Sequence, residues 1–380
     1  FNEPTNENNL QFCEESISEK GEKLIKAGTV IKLVEMLTSP TYTEAAYCEH
    51  FLTTFTDFMT PMMLFTLLRR RWCVPRPEKI ESEANWKQTV LHPIQSCICQ
   101  VLIMWCEKNF ATIVDTPTLR ERMVKFVEQD VRKIFSVAAT AILEAIENGD
   151  QAAETGGFRN TDEYFMFLSQ APPPILPKKV RKAWDRGEDI SSLVVGLSDV
   201  PPLEVARQLT LIDDNLFRSI RPKECFGQAW NRKGRDRTAP NITATVERFN
   251  QVSNWVATEL VVERDLRSRV KKLDLMVSWM LACYELQNFH ATLQFVTALN
   301  SSSVSRLRNT WAEWRKQHRK RADEYDQVCE QLSMLGNFTT YRQLLKEVKP
   351  PCIPLIAVAL SDFTFLDDGN PDHLVAEDGG

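Results

Sequence analysis

Apolar residues along this chain recur mainly at spacings of three and four, the period of an α-helix with one buried face. The residues from Val30 to Leu37 have this spacing. A second helix is predicted to begin at Thr60, because a threonine side chain can cap a helix N-terminus and Pro61 suits the first helical position. It ends in Arg69–Arg71, whose charges suit the negative end of the helix dipole.

The helical spacing continues from Pro93, which is predicted to open another helix, and from Leu119 to Phe135. We therefore predict one helical domain over residues 24–147, preceded by a polar N-terminal tail, residues 1–23. Helix-breaking residues then predict a linker over residues 148–196, in part with extended polyproline conformation. The residues that mark it are Gly149, Gly156, Gly157, Pro172, Pro173, Pro174 and Pro177.

A second helical domain is predicted over residues 197–380. Its apolar spacing is again helical, and no segment shows a strand pattern of comparable strength. The fold class is therefore predicted to be all-α. The predicted helices are Leu203–Leu211, Ile242–Leu260, Leu266–Leu286, Ala291–Leu299 and a long charged helix, Arg306–Leu335.

Composition limits the classes of partner. The chain has 380 residues, of which 43% are hydrophobic and 26% charged, and this is typical of a globular protein with more than one domain. Its net charge of -5 gives no general attraction to nucleic acid or to an anionic membrane. No nucleic-acid partner is predicted.

The ten cysteines and five histidines give no metal-binding pattern. The cysteines are scattered through apolar stretches, which indicates reduced core residues. The one close pair, Cys97 and Cys99, lacks the two-residue gap of zinc knuckles. No metal and no cofactor are therefore predicted.

The chain start and the apolar runs bear on location. The sequence begins at Phe1 with a polar, acidic stretch that has no signal-peptide pattern, so we expect a fragment of a longer protein. The longest apolar run, Leu273–Leu286, is shorter than the roughly 20 residues that span a bilayer. We expect no transmembrane segment and a cytoplasmic location.

Motifs of covalent catalysis are missing from the sequence. The chain has no Gly-x-Ser-x-Gly, no glycine-rich phosphate loop and no dinucleotide fingerprint. Its carboxylates fall on polar helix faces, where solvation explains them better than acid–base pairing. The protein is therefore not predicted to be an enzyme that makes or breaks covalent bonds.

Two local motifs each allow a structural and a functional interpretation. Pro174–Lys179 has the Pro-x-x-Pro-x-Lys order of an SH3-domain ligand, but a plain linker explains it as well. The basic run Arg315–Arg321 lies near two tryptophans and could bind nucleic acid or phospholipid head groups. Acidic residues follow it at once, so a solvated helix face is favoured. An SH3 partner at Pro174–Lys179 is kept as a hypothesis.

A third motif lies near the C-terminus. Pro350–Pro354 leads into an apolar helix predicted from Leu355 to Asp368, with Pro354 at the first helical position and Gly369 as the stop. The carboxylates of Asp367 and Asp368 oppose the helix dipole by about 0.3 to 1 kcal/mol each. From these residues alone, an ordinary core helix that enters an acidic loop is the simpler interpretation.

The second predicted domain contains an ordered set of motifs. They are Pro202–Leu211, Phe217–Arg218, Pro222–Glu224, Trp230, Asn288–Phe289, Leu299–Ser302, Val304, Arg306–Leu307, Thr310–Trp311, Tyr341–Arg342 and Pro350–Pro354. Together they resemble the catalytic domain of Ras guanine-nucleotide exchange factors of the son-of-sevenless type. The segment Tyr47–Trp72 resembles the Ras exchanger motif domain that commonly precedes it. The two resemblances cover about residues 24–147 and 197–380.

The resemblance implies an all-α fold and a function without covalent chemistry, the promotion of GDP release from a Ras-like GTPase. By position, six residues match the surface that grips the partner's second switch region: Trp230, Val246, Leu293, Asn300, Phe338 and Leu355. Glu247 stands where son-of-sevenless has a basic residue, and Ser305 stands where it has a tyrosine. These two departures bear on the choice of partner.

The resemblance also implies a role for the helix from Leu355. It matches the first arm of a helical hairpin that wedges the partner's first switch region away from the nucleotide. Thr364 is then expected near the magnesium position, and Asp368 where an acidic residue mimics a nucleotide phosphate. The partner is expected to be a membrane-bound GTPase of Ras or Rap type, to which the protein is recruited. The alternative is a catalytically silent helical scaffold that binds GTPases or SH3 domains.

The family domain continues beyond the first arm of the hairpin, whereas this sequence stops at Gly380, so the domain is expected to be incomplete. We predict that residues 1–380 alone release GDP more slowly than a longer chain, because the first arm lacks its packing partner. Release of a fluorescent GDP analogue by the two chains measures this. Equal rates would refute the expectation.

Overall fold

The computed structural model of the protein describes residues 4–17, 23–42, 44–76, 82–154, 172–191, 193–371 and 373. These residues form two separately packed units, the first up to residue 154 and the second from residue 172 to residue 371. Part of the predicted linker, residues 155–171, lies outside the described residues, as do nearly all of residues 372–380. The described secondary structure is helical apart from one two-stranded sheet, which confirms the predicted all-α class.

The first unit begins with that sheet, which the sequence pattern did not predict. Strand β1, Leu10–Ile17, runs antiparallel to strand β2, Lys23–Gly28, with Leu10 opposite Gly28. The register between the strands is irregular, and burial along β2 does not alternate from one residue to the next, so β2 lacks the alternation by which a strand is recognised. The polar tail predicted over residues 1–23 is therefore wrong for the part that forms β1.

Eight α-helices are described after the sheet in the first unit. They are α1 (Val30–Leu37), α2 (Ala45–Thr54), α3 (Pro61–Trp72), α4 (Glu83–Trp86), α5 (His92–Lys108), α6 (Ala111–Val114), α7 (Pro117–Phe126) and α8 (Ser136–Glu154). The predicted start of α3 is confirmed, because the Thr60 hydroxyl accepts the Met63 N–H at 3.2 Å. The predicted start at Pro93 is wrong: a π-helical turn, Lys87–Leu91, joins α4 to α5, so the helical run begins at Glu83.

The core of the first unit is built from α1, α2, α3, α5, α7 and α8. Trp105 is fully buried at its centre, where its ring meets the Phe55 ring edge to face at 5.4 Å. Its indole N–H donates to the Thr112 hydroxyl at 2.8 Å, as a buried polar group requires. Buried side chains of α8, Ile142 and Ile146, complete this core, and the helix continues past the predicted boundary at residue 147.

One described helical run, Glu83–Lys108, is long and apolar enough to cross a membrane. The inner side chains of α5 within it are buried in the core of the first unit. Because the core helix of a globular protein passes the same test of length and composition, the run is weak evidence for a membrane span.

The second unit contains eleven described α-helices. They are α9 (Lys178–Asp185), α10 (Pro202–Ser219), α11 (Arg235–Thr238), α12 (Pro240–Val261), α13 (Leu266–Glu285), α14 (Phe289–Asn300), α15 (Ser302–Ser305), α16 (Arg308–Gln317), α17 (Arg319–Gln331), α18 (Leu335–Glu347) and α19 (Ile356–Gly369). The predicted linker, residues 148–196, is wrong at both ends. Its first residues continue α8, and α9 belongs to the second unit.

The predicted charged helix Arg306–Leu335 is also wrong, because α16 and α17 are separate helices with a break at His318. The break lets aromatic residues from both helices enter the core. Trp314 and Tyr325 are both buried, with ring centroids 6.1 Å apart. Packing of these rings therefore overrides the local helical pattern.

Helix α14 lies at the centre of the second unit. All of its residues are buried except Thr297 and Asn300, and α10, α12 and α13 pack around it. A helix that is buried around its whole circumference must be enclosed by packed neighbours. The helices around α14 are therefore positioned by their packing against it.

His290 on α14 gives a prediction about pH. Burial lowers the pKa of this imidazole to about 4, while an unfolded histidine titrates near pH ~6.5. Between these values the unfolded chain binds a proton that the folded unit does not, so stability falls as the pH decreases from 6.5 to 4. We predict a loss of up to about 3 kcal/mol from this residue at pH 4.

The variant His290→Phe keeps an aromatic ring beside Phe249 and removes the titration. Urea unfolding from pH 7 to pH 4 should show a shallower loss of stability for this variant than for the wild type. His50→Phe replaces an exposed histidine and serves as the control. Parallel curves for wild type and His290→Phe would contradict the prediction.

Candidate functional site

The terminal helix α19 has a base that is fixed by backbone hydrogen bonds. The Phe289 N–H donates to the Ile353 carbonyl at 3.0 Å, and the Ile353 N–H donates to the Gln287 carbonyl at 3.0 Å. Two residues on, the Leu355 N–H donates to the Tyr341 hydroxyl at 3.0 Å. The segment before α19 is therefore tied both to the start of α14 and to α18.

Helix α19 starts later than the sequence predicted. Its N-cap is Leu355 and its first helical residue is Ile356, so Pro354 lies before the helix and not at its first position. Ile356, Val358 and Leu360 point inward and are buried. The first half of the helix is therefore part of the packed unit.

The second half of α19 is presented to solvent. The side chains of Phe365 and Leu366 are 64% and 57% exposed. Beside them, the Asp368 carboxylate accepts the Gln228 side-chain N–H at 3.0 Å. Adjacent large apolar side chains at an exposed helix end offer a surface for a partner. The tip of α19 thus combines apolar surface with a carboxylate.

The segment Pro222–Asn231 lies against one side of α19. Trp230 of this segment is buried in a small apolar cluster with Ile242 and Leu360. Its ring centroid is 6.4 Å from that of Phe363 on α19. Trp230 therefore lines one side of α19 near its middle.

Glu224 fixes the segment Pro222–Asn231 to the N-terminus of α12. Its carboxylate is fully buried and accepts the backbone N–H groups of Asn241 at 2.8 Å and Ile242 at 3.1 Å. It also accepts the Asn241 side-chain N–H at 2.7 Å and the Arg221 N–H at 3.2 Å. The first N–H groups of a helix lack partners within the helix and favour an anion, so this buried carboxylate is well compensated.

An ion pair holds the middle of α19 on another side. The guanidinium of Arg342 on α18 donates to both carboxylate oxygens of Asp362, at 2.8 and 2.6 Å. The hydrogen bonds to Arg342 hold the pKa of the Asp362 carboxyl below its usual range. A guanidinium that donates to both oxygens of one carboxylate fixes the orientation of the two side chains as well as their distance.

Besides Leu355 at the N-cap of α19, the structure brings four of the predicted site residues close to α19 or into it: Trp230, Val246, Thr364 and Asp368. Trp230 packs in the apolar cluster described above, with Val246 at its edge. Thr364 lies on α19 and its hydroxyl donates to the Leu360 carbonyl at 3.0 Å. Whether these residues contact a GTPase stays a prediction.

Two predicted contact residues lie beneath the surface. Leu293 and Leu355 are only 3% and 2% exposed and belong to the main core of the second unit. Whether they contact a GTPase stays a prediction. Their residue types match an aliphatic anchor, but only packing decides whether such a residue is exposed.

Four further predicted residues are accessible. Asn300 ends α14, and its side-chain oxygen accepts the Tyr325 hydroxyl at 2.9 Å. Glu247 on α12 and Ser305 at the end of α15 are exposed. Phe338 is half-buried and has a left-handed backbone, with φ of 60°. Their roles in partner binding stay predictions.

Sequence reasoning missed three side chains that hold this site together. Glu224 meets Asn241 across 17 positions, and Arg342 meets Asp362 across 20. Gln228 meets Asp368 across 140 positions. Glu224 and Arg342 lie within the recognised motifs, but their partners could be identified only from the fold.

The Pro174–Lys179 motif is part of the second unit. The Ile175 N–H donates to the Glu204 carboxylate at 3.0 Å, and α9 begins at Lys178. Lys179 in α9 forms an ion pair with Asp199 at 2.6 Å. An SH3 domain binds an extended, accessible segment, so the hypothesis of an SH3 partner is not supported.

The basic run Arg315–Arg321 uses two of its arginines within the second unit. Arg315 pairs with Asp326 at 2.7 Å, and Arg321 pairs with Asp274. These contacts agree with the interpretation as a helix surface.

No metal-binding group emerges from the part of the chain that the structure describes. No cluster of three or more His, Cys, Asp or Glu side chains there could hold an ion. Burial raises the pKa of the Cys99 and Cys106 thiols to about 12, so both are protonated at neutral pH. These cysteines are core residues.

Comparison with known proteins follows the same two units. The RasGEF domain family matches residues 204–379, and the RasGEF N-terminal motif family matches residues 24–126. The chain belongs to the Ras guanine nucleotide exchange factor family. The RasGEF domain thus begins within α10 and includes α19, and the N-terminal motif runs from β2 to α7.

Individual relatives of the RasGEF chain cover both units. It is 31% identical over 356 residues to "Ras guanine nucleotide exchange factor J" of Dictyostelium discoideum, which is 92% of this chain and 41% of the relative. It is 27% identical over 431 residues to "Son of sevenless homolog" of Caenorhabditis elegans, 97% of this chain and 28% of the relative. The chain therefore spans less than half the length of these relatives.

Glu224 gives a prediction for the RasGEF domain. Glu224→Gln replaces one of the two acceptor oxygens with an amide NH2 group, which cannot accept a hydrogen bond, so some of the N–H groups that Glu224 now satisfies lose their partner. We expect a loss of about 2 to 4 kcal/mol in the free energy of unfolding, measured in urea. Glu330→Gln changes an exposed carboxylate and should cost less than about 0.5 kcal/mol. Equal stability of the two variants would contradict the role of Glu224.

Proposed function

We propose that this chain promotes GDP release from a Ras-like GTPase, with α19 as the arm that opens the nucleotide site. One observation carries the proposal: α19 is fixed at its base by backbone bonds, while Phe365, Leu366 and Asp368 are presented at its tip. A wedge has to be anchored at one end and offer contacts at the other. Membership of the RasGEF family supports the same activity.

The proposed partner surface draws on residues outside α19. Val246, Asn300 and Phe338 would contact the second switch region of the GTPase, together with Trp230, whose ring lies beside Phe363 of α19. Clusters of aromatic and aliphatic anchors of this kind dominate the affinity of protein interfaces. Leu293 and Leu355 would support that surface from beneath.

The tip of α19 would act by competition. Asp368 would accept hydrogen bonds from GTPase donors that otherwise hold the nucleotide phosphates, and Thr364 would occupy space near the magnesium ion of the GTPase. Within the described part of the chain, Asp368 accepts the side-chain N–H of Gln228, and this bond would be exchanged when a partner arrives. No covalent bond forms or breaks.

The required energy bounds this mechanism. A ~10⁵-fold acceleration of release corresponds to lowering the barrier by roughly 7 kcal/mol. Displacement of the first switch region, loss of magnesium and competition for phosphate donors would share this amount. Because the coupling between two binding sites is reciprocal, nucleotide that returns to the GTPase would weaken the binding of the exchanger by the same free energy. The ternary complex would therefore be transient, and excess GTP would set the direction of exchange.

Release of a fluorescent GDP analogue from a panel of Ras and Rap GTPases tests the function. We expect the full-length protein to accelerate release from at least one of them. Asp368→Asn should reduce this acceleration about tenfold, because a neutral amide is a weaker acceptor at the position of a phosphate. The control Asp323→Asn changes an exposed carboxylate of α17 and should behave as wild type.

Two results would count against the proposal. Absence of acceleration for every GTPase in the panel would refute exchange activity. Stable binding to nucleotide-free GTPase with an unchanged release rate would instead support the scaffold alternative.

A further inference from the structure

Arg342 joins two parts of the RasGEF domain that are separate in the chain. Its terminal nitrogens donate to Asp362 of α19 at 2.8 and 2.6 Å. Its Nε donates to the carbonyl oxygen of Asn337 at 2.8 Å. One planar guanidinium therefore makes three hydrogen bonds, two to the arm and one to the turn at the start of α18.

That turn has an unusual backbone. Gly336, Asn337 and Phe338 are consecutive residues in the left-handed region, with φ of 59°, 54° and 60°. Residues with a side chain adopt this region at a cost, and a run of them persists only when its surroundings hold it. The bond from Arg342 to Asn337 is one such restraint. It acts next to Phe338, a residue of the proposed partner surface.

Asp362 lies where α19 passes from the packed unit into solvent. Leu360 is buried on one side of this point, and Phe365 is exposed on the other. On a different face of the helix, Trp230 lies beside Phe363. A restraint at Asp362 therefore controls the direction in which the tip projects.

We propose that Arg342 is a positioning residue for nucleotide exchange, because it couples the Phe338 turn to α19. A partner gripped at Phe338 would then meet a tip that is already aimed at the nucleotide site. This inference rests on the proposed function. The side chains of Arg342 and Asp362 are 32% and 43% exposed, and ion pairs this accessible add little to stability. Their planar, two-bond geometry instead fixes orientation.

A lysine at position 342 tests the geometry while the charge is kept. Lysine is a point charge and cannot bind both Asp362 oxygens and the Asn337 carbonyl in one plane. For the full-length Arg342→Lys protein, we expect the maximal release rate to fall about tenfold, less than the roughly hundredfold that a 1 Å misplacement can cost, because α19 keeps its other contacts. The exchanger concentration at half-maximal rate should change less than about twofold.

A second readout does not depend on exchange activity. Hydrogen exchange of the backbone amides in residues 356–369 should be faster in Arg342→Lys than in wild type. The melting temperature should stay within about 1 °C, because an exposed pair contributes little to stability. A purely structural role would lower the melting temperature together with the release rate, and this would overturn the proposal.

The chain offers a matched control. Arg315 on α16 binds both oxygens of Asp326 on α17, at 2.7 and 2.8 Å, with comparable exposure, and both residues lie outside α18 and α19. Arg315→Lys should leave the release rate and the exchange of residues 356–369 as in wild type. Arg342→Lys indistinguishable from Arg315→Lys would overturn the proposal.

The charge exchange Arg342→Asp with Asp362→Arg separates the two links. The double variant restores the ion pair but not the donor to Asn337. We therefore expect its release rate to lie between that of Arg342→Asp alone and that of the wild type. Full recovery would overturn the coupling to the turn. If the wild type accelerates no GTPase, the proposed function fails, while hydrogen exchange still tests the coupling.

Discussion

The backbone pairing of Ile353 with residues 287 and 289 is the constraint on which the candidate site depends. It ties the base of α19 to α14, the most enclosed helix of the second unit. Between these residues lies Asn288, whose fully buried side chain accepts the Ala291 N–H at 2.9 Å and donates to Asp213 at 2.9 Å. Displacement of the base would leave several buried polar groups unpaired, which is costly in a dry interior. Movement of the arm is therefore restricted to its exposed half.

Two left-handed segments hold that exposed half in direction. One contains Gln228, whose side chain binds Asp368 at the tip, and the other contains Asn337, which Arg342 links to Asp362. Strained backbone and carboxylates at the wrong end of a helix dipole both oppose local preferences. These departures from local preference lie at and beside α19, and such departures are expected where a functional site is built.

Buried polar contacts likewise fix the positions of segments within the second unit. Glu224 satisfies the start of α12 and thereby fixes the segment that carries Trp230. Each such contact is directional, so it specifies one arrangement where apolar packing would tolerate several. Polar bonds thus position Trp230, α19 and the Phe338 turn, while apolar packing forms the core beneath them.

The sequence by itself determined the helical class, the cap of α3 and the motifs of the RasGEF family, because these depend on residues within a few positions of one another. The same local rules misplaced the helix starts at Pro93 and Pro354. Pro93 follows a π-helical turn inside a longer helical run, and Pro354 lies just before α19. Only the tertiary structure decided that Leu293 and Leu355 are buried and that Phe365 is exposed. It also decided that Gln228 meets Asp368, and Arg342 meets Asp362. These contacts join segments far apart in the chain, where the periodicity of one helix carries no information about the position of another.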